Sequence, residues 1–305
     1  MELAFDHVTK FYGPVIGVNE IDCRIGPGIT ALFGANGAGK STLMRLAAGQ
    51  LRPSLGEVTI GARRSWSARA KRDLGYSPDL DRFYAGMSGR EFVFTMARLN
   101  GYGRRDARRR TEDVLARVGM TDRAHRRIDG YSRGMRQRIK LAQAMVHDPS
   151  VLLLDEPLDG IDPSGRRELG HLFTSLAQAG KTVLVSTHIL HEVEKMAGQV
   201  LVIGRGRVVA QGTLAEIRSL LDERATLVEI DAEPVRLLAA RLAERSEVES
   251  LEVRKQTLRI ATRQANKLFS HVRDLAADST VRVERLEIID AGADAVFDYL
   301  QQEVS

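Results

Sequence analysis

One cysteine, Cys23, in 305 residues leaves this chain without the means to form an internal disulfide, which suits a reducing compartment. It falls in an expected strand, where a small buried hydrophobe is the better reading than a reactive thiol. Aromatic residues make up only 5%. No apolar run approaches the roughly 18–20 residues of a membrane span, so any membrane role is expected to be peripheral. The first residues, with Glu2, Asp6 and His7, carry no apolar core of a signal peptide. Excess charge is small as well: 45 basic against 40 acidic residues leave +5.

That small excess is clustered. Arg63, Arg64, Arg69, Lys71 and Arg72 form one group, Arg104, Arg105, Arg108, Arg109 and Arg110 a second, and Arg123, Arg126 and Arg127 a third. The plainer reading is solvated helix faces. The alternative is a surface for acidic lipid headgroups, nucleic acid or an acidic partner loop. No aromatics interleave these groups as a single-strand binder requires, so no nucleic-acid partner is expected. With 43% hydrophobic and 28% charged residues, the composition is that of a globular protein, long enough for one large domain and a smaller one.

What is present centres on Gly34-Ala35-Asn36-Gly37-Ala38-Gly39-Lys40-Ser41-Thr42. An apolar strand over residues 29–33 precedes it, and a helical pattern through Leu43, Met44, Leu46 and Ala47 follows. Strand, glycine-rich loop and helix in that order make a phosphate-binding P-loop. The glycines let successive N–H groups and the helix N-terminus converge on an anion. Lys40 adds charge for the outer phosphates, and the Ser41 hydroxyl is placed to ligate Mg²⁺. A nucleoside triphosphate is the expected ligand.

Further along, residues 88–148 read as largely helical and end at Asp148-Pro149. Val151-Leu152-Leu153-Leu154 then fits a strand buried on both faces, as in a parallel sheet. It runs into Asp155-Glu156, where ligands sit in open α/β sheets. Asp155 is the expected Mg²⁺ carboxylate, and Glu156 stands one position on, near an attacking water. A helix over 165–179 and a strand over 182–186 follow, and His188 lies just past that strand's end. Upstream, the Tyr12 ring is suited to stacking on a base or to packing in the core, and the residues alone leave the two even.

Tyr131-Ser132-Arg133-Gly134-Met135 ahead of residues 151–156 makes the pattern specific. Over about residues 1–220 it resembles the nucleotide-binding subunits of ATP-binding cassette (ABC) transporters. Ser132 and Gly134 match the signature loop, and Lys40, Asp155, Glu156, Asp162 and His188 fall in family order. The resemblance implies an α/β P-loop NTPase core with a helical subdomain at about 80–148. It implies a head-to-tail dimer with a second copy or another ABC subunit. ATP then lies between the P-loop of one chain and Ser132 and Gly134 of the other. Tyr12 is expected to stack on adenine, Glu156 to activate water, His188 to contact the γ-phosphate, and Asp162 to link the two sites. The family's lining glutamine falls at Asp79, whose shorter, charged side chain is a candidate Mg²⁺ contact. Arg133 and Met135 depart from the usual Gly and Gln. With no fused membrane domain, the chain looks most like a prokaryotic exporter subunit at the cytoplasmic face of the membrane, paired with a separately encoded permease. The competing expectations are an ATPase acting on ribosomes or DNA, and a nucleotide sensor that does not hydrolyse.

From residue 225 the pattern changes to β-α-β-β-α-β, with a last helix at 294–302. That order fits a small ferredoxin-like α+β domain over 225–305. It carries no chemistry-bearing cluster and is expected to stabilise a dimer or to pack.

Overall fold

The computed structural model describes residues 1–84, 86–187, 196–217, 226–277 and 281–288. The chain divides into two compact units, Met1–Thr213 and Leu214–Ser305. Unit one begins with a two-stranded antiparallel pair, β1 (Leu3–Tyr12) and β2 (Val15–Ile25). Strand β4 (Leu55–Ile60) pairs with β1, and the short β5 (Arg63–Arg64) with β4.

Between them lies the P-loop strand β3 (Gly28–Phe33), followed by α1 (Lys40–Ala47). Strand β3 belongs to a second, six-stranded sheet with β6 (Leu74–Ser77), β7 (Val151–Asp155), β8 (Thr182–Thr187), β9 (Gln199–Gly204) and β10 (Arg207–Gly212). Its order is β10-β9-β3-β8-β7-β6. All neighbours are parallel except β9 and β10.

The four apolar residues of β7 are explained by this sheet's two covered faces. Val151 and Leu153 enter a core with Leu32, Leu184 and the α1 residues Leu43 and Met44. Leu152 and Leu154 enter the opposite core with Val183, Val185 and residues of the helices beyond. A period-two strand thus fills both layers with one apolar run. Cys23 is buried in β2, where burial and then the charge of Asp22 push its thiol up to about 12. It is a core residue, as its strand position suggested.

The stretch expected to be helical holds α3 (Gly89–Leu99), α4 (Arg104–Arg117) and α5 (Arg133–Met145). A short helix α2 (Ala68–Arg72) precedes β6, and α6 (Pro163–Gln178) lies between β7 and β8. Helix α3 starts on a capping box, in which Ser88 and Glu91 satisfy each other's backbone N–H. Ser132 and Asp162 are likewise the N-caps of α5 and α6.

Unit two runs β11 (Thr226–Glu233), α7 (Val235–Leu242), β12 (Ser250–Arg254), β13 (Thr257–Thr262), α8 (Ala265–Ala277) and β14 (Arg282–Ile288). The order in the sheet is β12-β13-β11-β14, antiparallel throughout. Its core holds Val228, Ile230, Leu238, Leu258, Ile260 and Leu268. The first and third strands are central, as in the split βαβ arrangement. The helix expected at 294–302 lies outside the described residues.

Phe173 of α6 has no exposed surface and sits in the core that includes Leu152 and Val185. Phe173→Ala is expected to cost about 3–5 kcal/mol, read from urea unfolding. A change below 1 kcal/mol would show that this core collapses around the lost ring.

Candidate functional site

Parallel pairing brings the carboxyl ends of the central strands to one edge. Phe33 pairs with Thr187, Asp155 with Ser186, and Ser77 with Leu154. The loops that leave these ends line one open cavity of about 480 Å³. Asn36, Gly37, Gly39, Lys40, Ser41, Thr42, Asp79, Asp155 and Glu156 all contribute to it. Arg133 and Asp159 stand at the same cavity, as do Val15, Ile16 and Gly17 of β2.

The P-loop is shaped for an anion. Gly39, the N-cap of α1, has φ 108°, a left-handed conformation that favours glycine. No acidic side chain occupies the first turn of α1, so its free N–H groups and positive dipole end are left for a ligand. The Lys40 ammonium is buried and donates to the carbonyls of Gly34 (2.7 Å) and Ala35 (3.1 Å). Burial lowers its pKa, and the charges of Glu156 and Asp155 oppose that shift. Among the described residues no three His, Cys, Asp or Glu side chains gather to hold a metal ion. Ser41 and Asp155 both line the cavity, a hydroxyl and a carboxylate of the hard-oxygen kind that Mg²⁺ takes in ones or twos beside phosphates and water.

The two adjacent acids are held differently. Asp155 is 3% exposed, and its Oδ1 accepts a 2.6 Å hydrogen bond from the Ser186 hydroxyl. Burial raises its pKa, the Ser186 bond lowers it, and the charge of Asp79 raises it further. Glu156 is only partly buried and has φ 48°, an uncommon backbone for a non-glycine residue. Its N–H donates to Ser186 Oγ at 2.9 Å, and its carbonyl accepts from Gln137 Nε2 at 2.8 Å. Ser186 and Gln137 were not among the residues expected at the site. Ser186 is opposite Asp155 in the ladder, a pairing that needs β8 to be placed beside β7.

Helix α5 grips the neighbouring loop as well. Lys140 Nζ donates to the Asp79 carbonyl at 2.6 Å and pairs with Asp81, while Arg136 also pairs with Asp81. One helix thus holds the backbone of both Glu156 and Asp79.

Other expected residues stand elsewhere. Gly34 and Ala35 accept from Lys40 through their carbonyls, and Ala38 of the same loop is buried in the core. Tyr12 is 42% exposed and lies over Gly17, where any Cβ would come within 2.6 Å of its ring and 3.3 Å of Thr42. It is not a core residue, and it flanks the P-loop helix. Ser132, Gly134 and Asp162 do not line the cavity. Arg133 ion-pairs with Asp159 at the rim, and Met135 packs on the helical core. His188 lies outside the described residues.

This fold and site define a P-loop nucleotide-binding protein. The model of the ABC transporter family matches residues 18–159. An uncharacterized ABC transporter ATP-binding protein, YxlF of Bacillus subtilis, is 38% identical over 66% of this chain and 65% of its own length. The daunorubicin resistance ATP-binding protein DrrA3 of Streptomyces coeruleorubidus is 34% identical over 71% of this chain and 70% of its own. A solved ATP-binding subunit of an ABC transporter superposes with TM-score 0.67 at 26% identity, covering 72% of this chain and 93% of that one. The chain belongs to the ABC transporter family, as an ATP-binding subunit.

Because burial raises the Asp155 pKa, the native chain binds its proton more readily than the unfolded chain does. Ligand-free stability therefore falls as pH rises from the ordinary value of 3.8 through the raised one. Asp155→Asn is expected to melt above the wild type at neutral pH without nucleotide, by about 2–4 °C for each kcal/mol relieved. That gap closes in acid. A variant melting below the wild type at neutral pH would contradict this account.

Proposed function

We propose that this chain binds and hydrolyses ATP with Mg²⁺, in a head-to-tail pair, and that turnover drives export through a separate integral membrane permease. The observation that carries the reading is the cavity itself. It gathers Lys40, Ser41, Asp155 and Glu156, while Ser132 and Gly134 stay outside it. In this reading those two residues contact the γ-phosphate of ATP held by a second chain.

In this reading the P-loop N–H groups and Lys40 bind the phosphates, and Lys40 exchanges its bonds to Gly34 and Ala35 for phosphate oxygens. Ser41 and Asp155 hold Mg²⁺, with Asp79 near them. Bound there, the metal neutralises charge on the phosphates. Glu156 orients the attacking water and takes its proton, a role worth about 10²–10⁴ in rate. Its position depends on the left-handed backbone that Ser186 and Gln137 clamp. Such conformations cost about 1–3 kcal/mol and persist when the surroundings over-determine them. Tyr12 offers a ring to adenine. His188 retains its proposed γ-phosphate role on the motif alone. The resistance function of relatives such as DrrA3 supports export over a role on ribosomes or DNA.

A second groove supports the permease. It measures about 370 Å³ and is lined by Leu80, Phe83, Tyr84, Phe92 and Met96, together with Lys140 and Pro78. Leu80 and Tyr84 are 53% and 62% exposed. These apolar side chains are interleaved with Arg82, Asn100, Lys140 and Gln143 beside the Asp79 loop, a mixed lining that suits a short amphipathic helix of a membrane partner. Lys140 lines this groove and also bonds the Asp79 carbonyl. An occupant of the groove thereby contacts the loop that lines the nucleotide cavity.

Glu156→Gln is expected to lower ATP turnover by at least about 10²-fold with nucleotide binding retained, measured by phosphate release and by fluorescent-nucleotide titration. Wild-type turnover per chain should rise with protein concentration as pairs form. Turnover that persists in Glu156→Gln would sink the base assignment, and binding without wild-type turnover would favour a nucleotide sensor. Tyr84→Glu is expected to lower co-purification with the permease by about tenfold or more, the effect of some 1.4 kcal/mol at the groove. Undiminished co-purification would remove the groove from the interface.

A further inference from the structure

Helix α4 carries its charge where its own dipole disfavours it. Arg104, Arg105, Arg108 and Arg109 occupy its first two turns and are exposed, while Ala107, Thr111, Val114 and Leu115 are buried on the opposite side. Cations near a helix N-terminus meet the positive end of the backbone dipole. The N-cap, Gly103, has no side chain to cap with, and Asp106 is the one acid of the first turn. Asp106 pairs with Arg109 at 3.4 Å. Among the described residues, Arg104, Arg105 and Arg108 form no ion pair with a carboxylate. Folding alone gains nothing from this arrangement.

The surroundings indicate what kind of anion fits. Leu99, the last residue of α3, is 73% exposed and stands just before the loop that leads into α4. In that loop the Tyr102 ring is covered by the Arg110 guanidinium, 4.2 Å from its centroid. That ring is therefore not an open platform for a base. An exposed leucine beside clustered arginines instead suits an interface with apolar and anionic layers in contact. Tyr102 donates its hydroxyl hydrogen to the His147 carbonyl at 3.2 Å, and His147 and Asn100 both line the second groove. The basic face therefore adjoins the surface assigned above to the permease.

We propose that the N-terminal half of α4, with Leu99, is a contact for the anionic headgroups of the membrane. The arginines neutralise lipid phosphates, and the leucine enters the headgroup boundary. Only the placement beside the permease rests on the function proposed above. Lipid binding by the chain itself does not.

The test is sedimentation of the purified full chain with vesicles, in low and moderate salt. Vesicles of phosphatidylcholine alone are compared with vesicles containing phosphatidylglycerol. Binding is expected only with the anionic lipid, weakening as salt rises. The triple variant R104Q/R105Q/R108Q is expected to bind about a hundredfold more weakly, at roughly fivefold per arginine. Relief of like charge at the helix start should raise its melting temperature, which separates lost binding from lost folding. Neutralising three other exposed cations with R69Q/K71Q/R72Q should leave most of the binding. Equal binding to both vesicle types, no binding to either, or equal losses in the two triple variants would overturn the proposal. So would tighter, salt-resistant binding to an oligonucleotide. If Glu156→Gln fails to stop turnover while vesicle binding behaves as stated, the catalytic assignment alone is lost.

Discussion

Strand β8 pairs in parallel with β3 on one side and with β7 on the other, and the nucleotide site depends on that double register. It brings the start of the P-loop, Ser186 and Asp155 to one row of the sheet. The Ser186 hydroxyl then does two things at once. It donates to the Asp155 carboxylate and accepts the Glu156 N–H. Two neighbouring acids leave the strand in different surroundings, one buried and one partly open to the cavity. Different environments for adjacent carboxylates are how one site can hold a metal and also move a proton.

Helix α5 supplies the complementary constraint. Its N-cap, Ser132, belongs to the signature loop, and its later residues hold the carbonyls of Glu156 and Asp79 through Gln137 and Lys140. A change in the position of this helix is therefore felt at two walls of the cavity. The second groove shares Lys140 with the second wall. This gives a contiguous physical connection between the proposed partner surface and the nucleotide cavity, built from named hydrogen bonds.

The departures from the usual signature loop also acquire physical meaning. Arg133 adds a charge at the cavity, and Asp159 neutralises it at the rim. Met135 is spent on packing against the helical core. Neither residue disturbs the bonds that hold Lys40, Asp155 or Glu156.

Much of this was legible in residue order because local chemistry carries it. A glycine-rich loop between an apolar strand and a helix specifies an anion cradle wherever it occurs, and the run 151–154 requires a strand covered on both faces. The β-α-β-β-α-β order of the second unit was readable from periodicity for the same reason. Ser186, Gln137 and Lys140 were not legible, since a serine, a glutamine or a lysine in a regular element looks ordinary until the fold sets its neighbour. The Tyr12 ring, even between base stacking and core packing from the residues alone, stands 42% exposed over Gly17 in the fold. The sequence by itself determined the P-loop and singled out Asp79, Asp155 and Glu156, which line one cavity with it. Only the tertiary structure decided how those acids are held and that Ser132 and Gly134 lie outside their own chain's cavity, because both depend on strand register and helix placement over more than a hundred residues of chain.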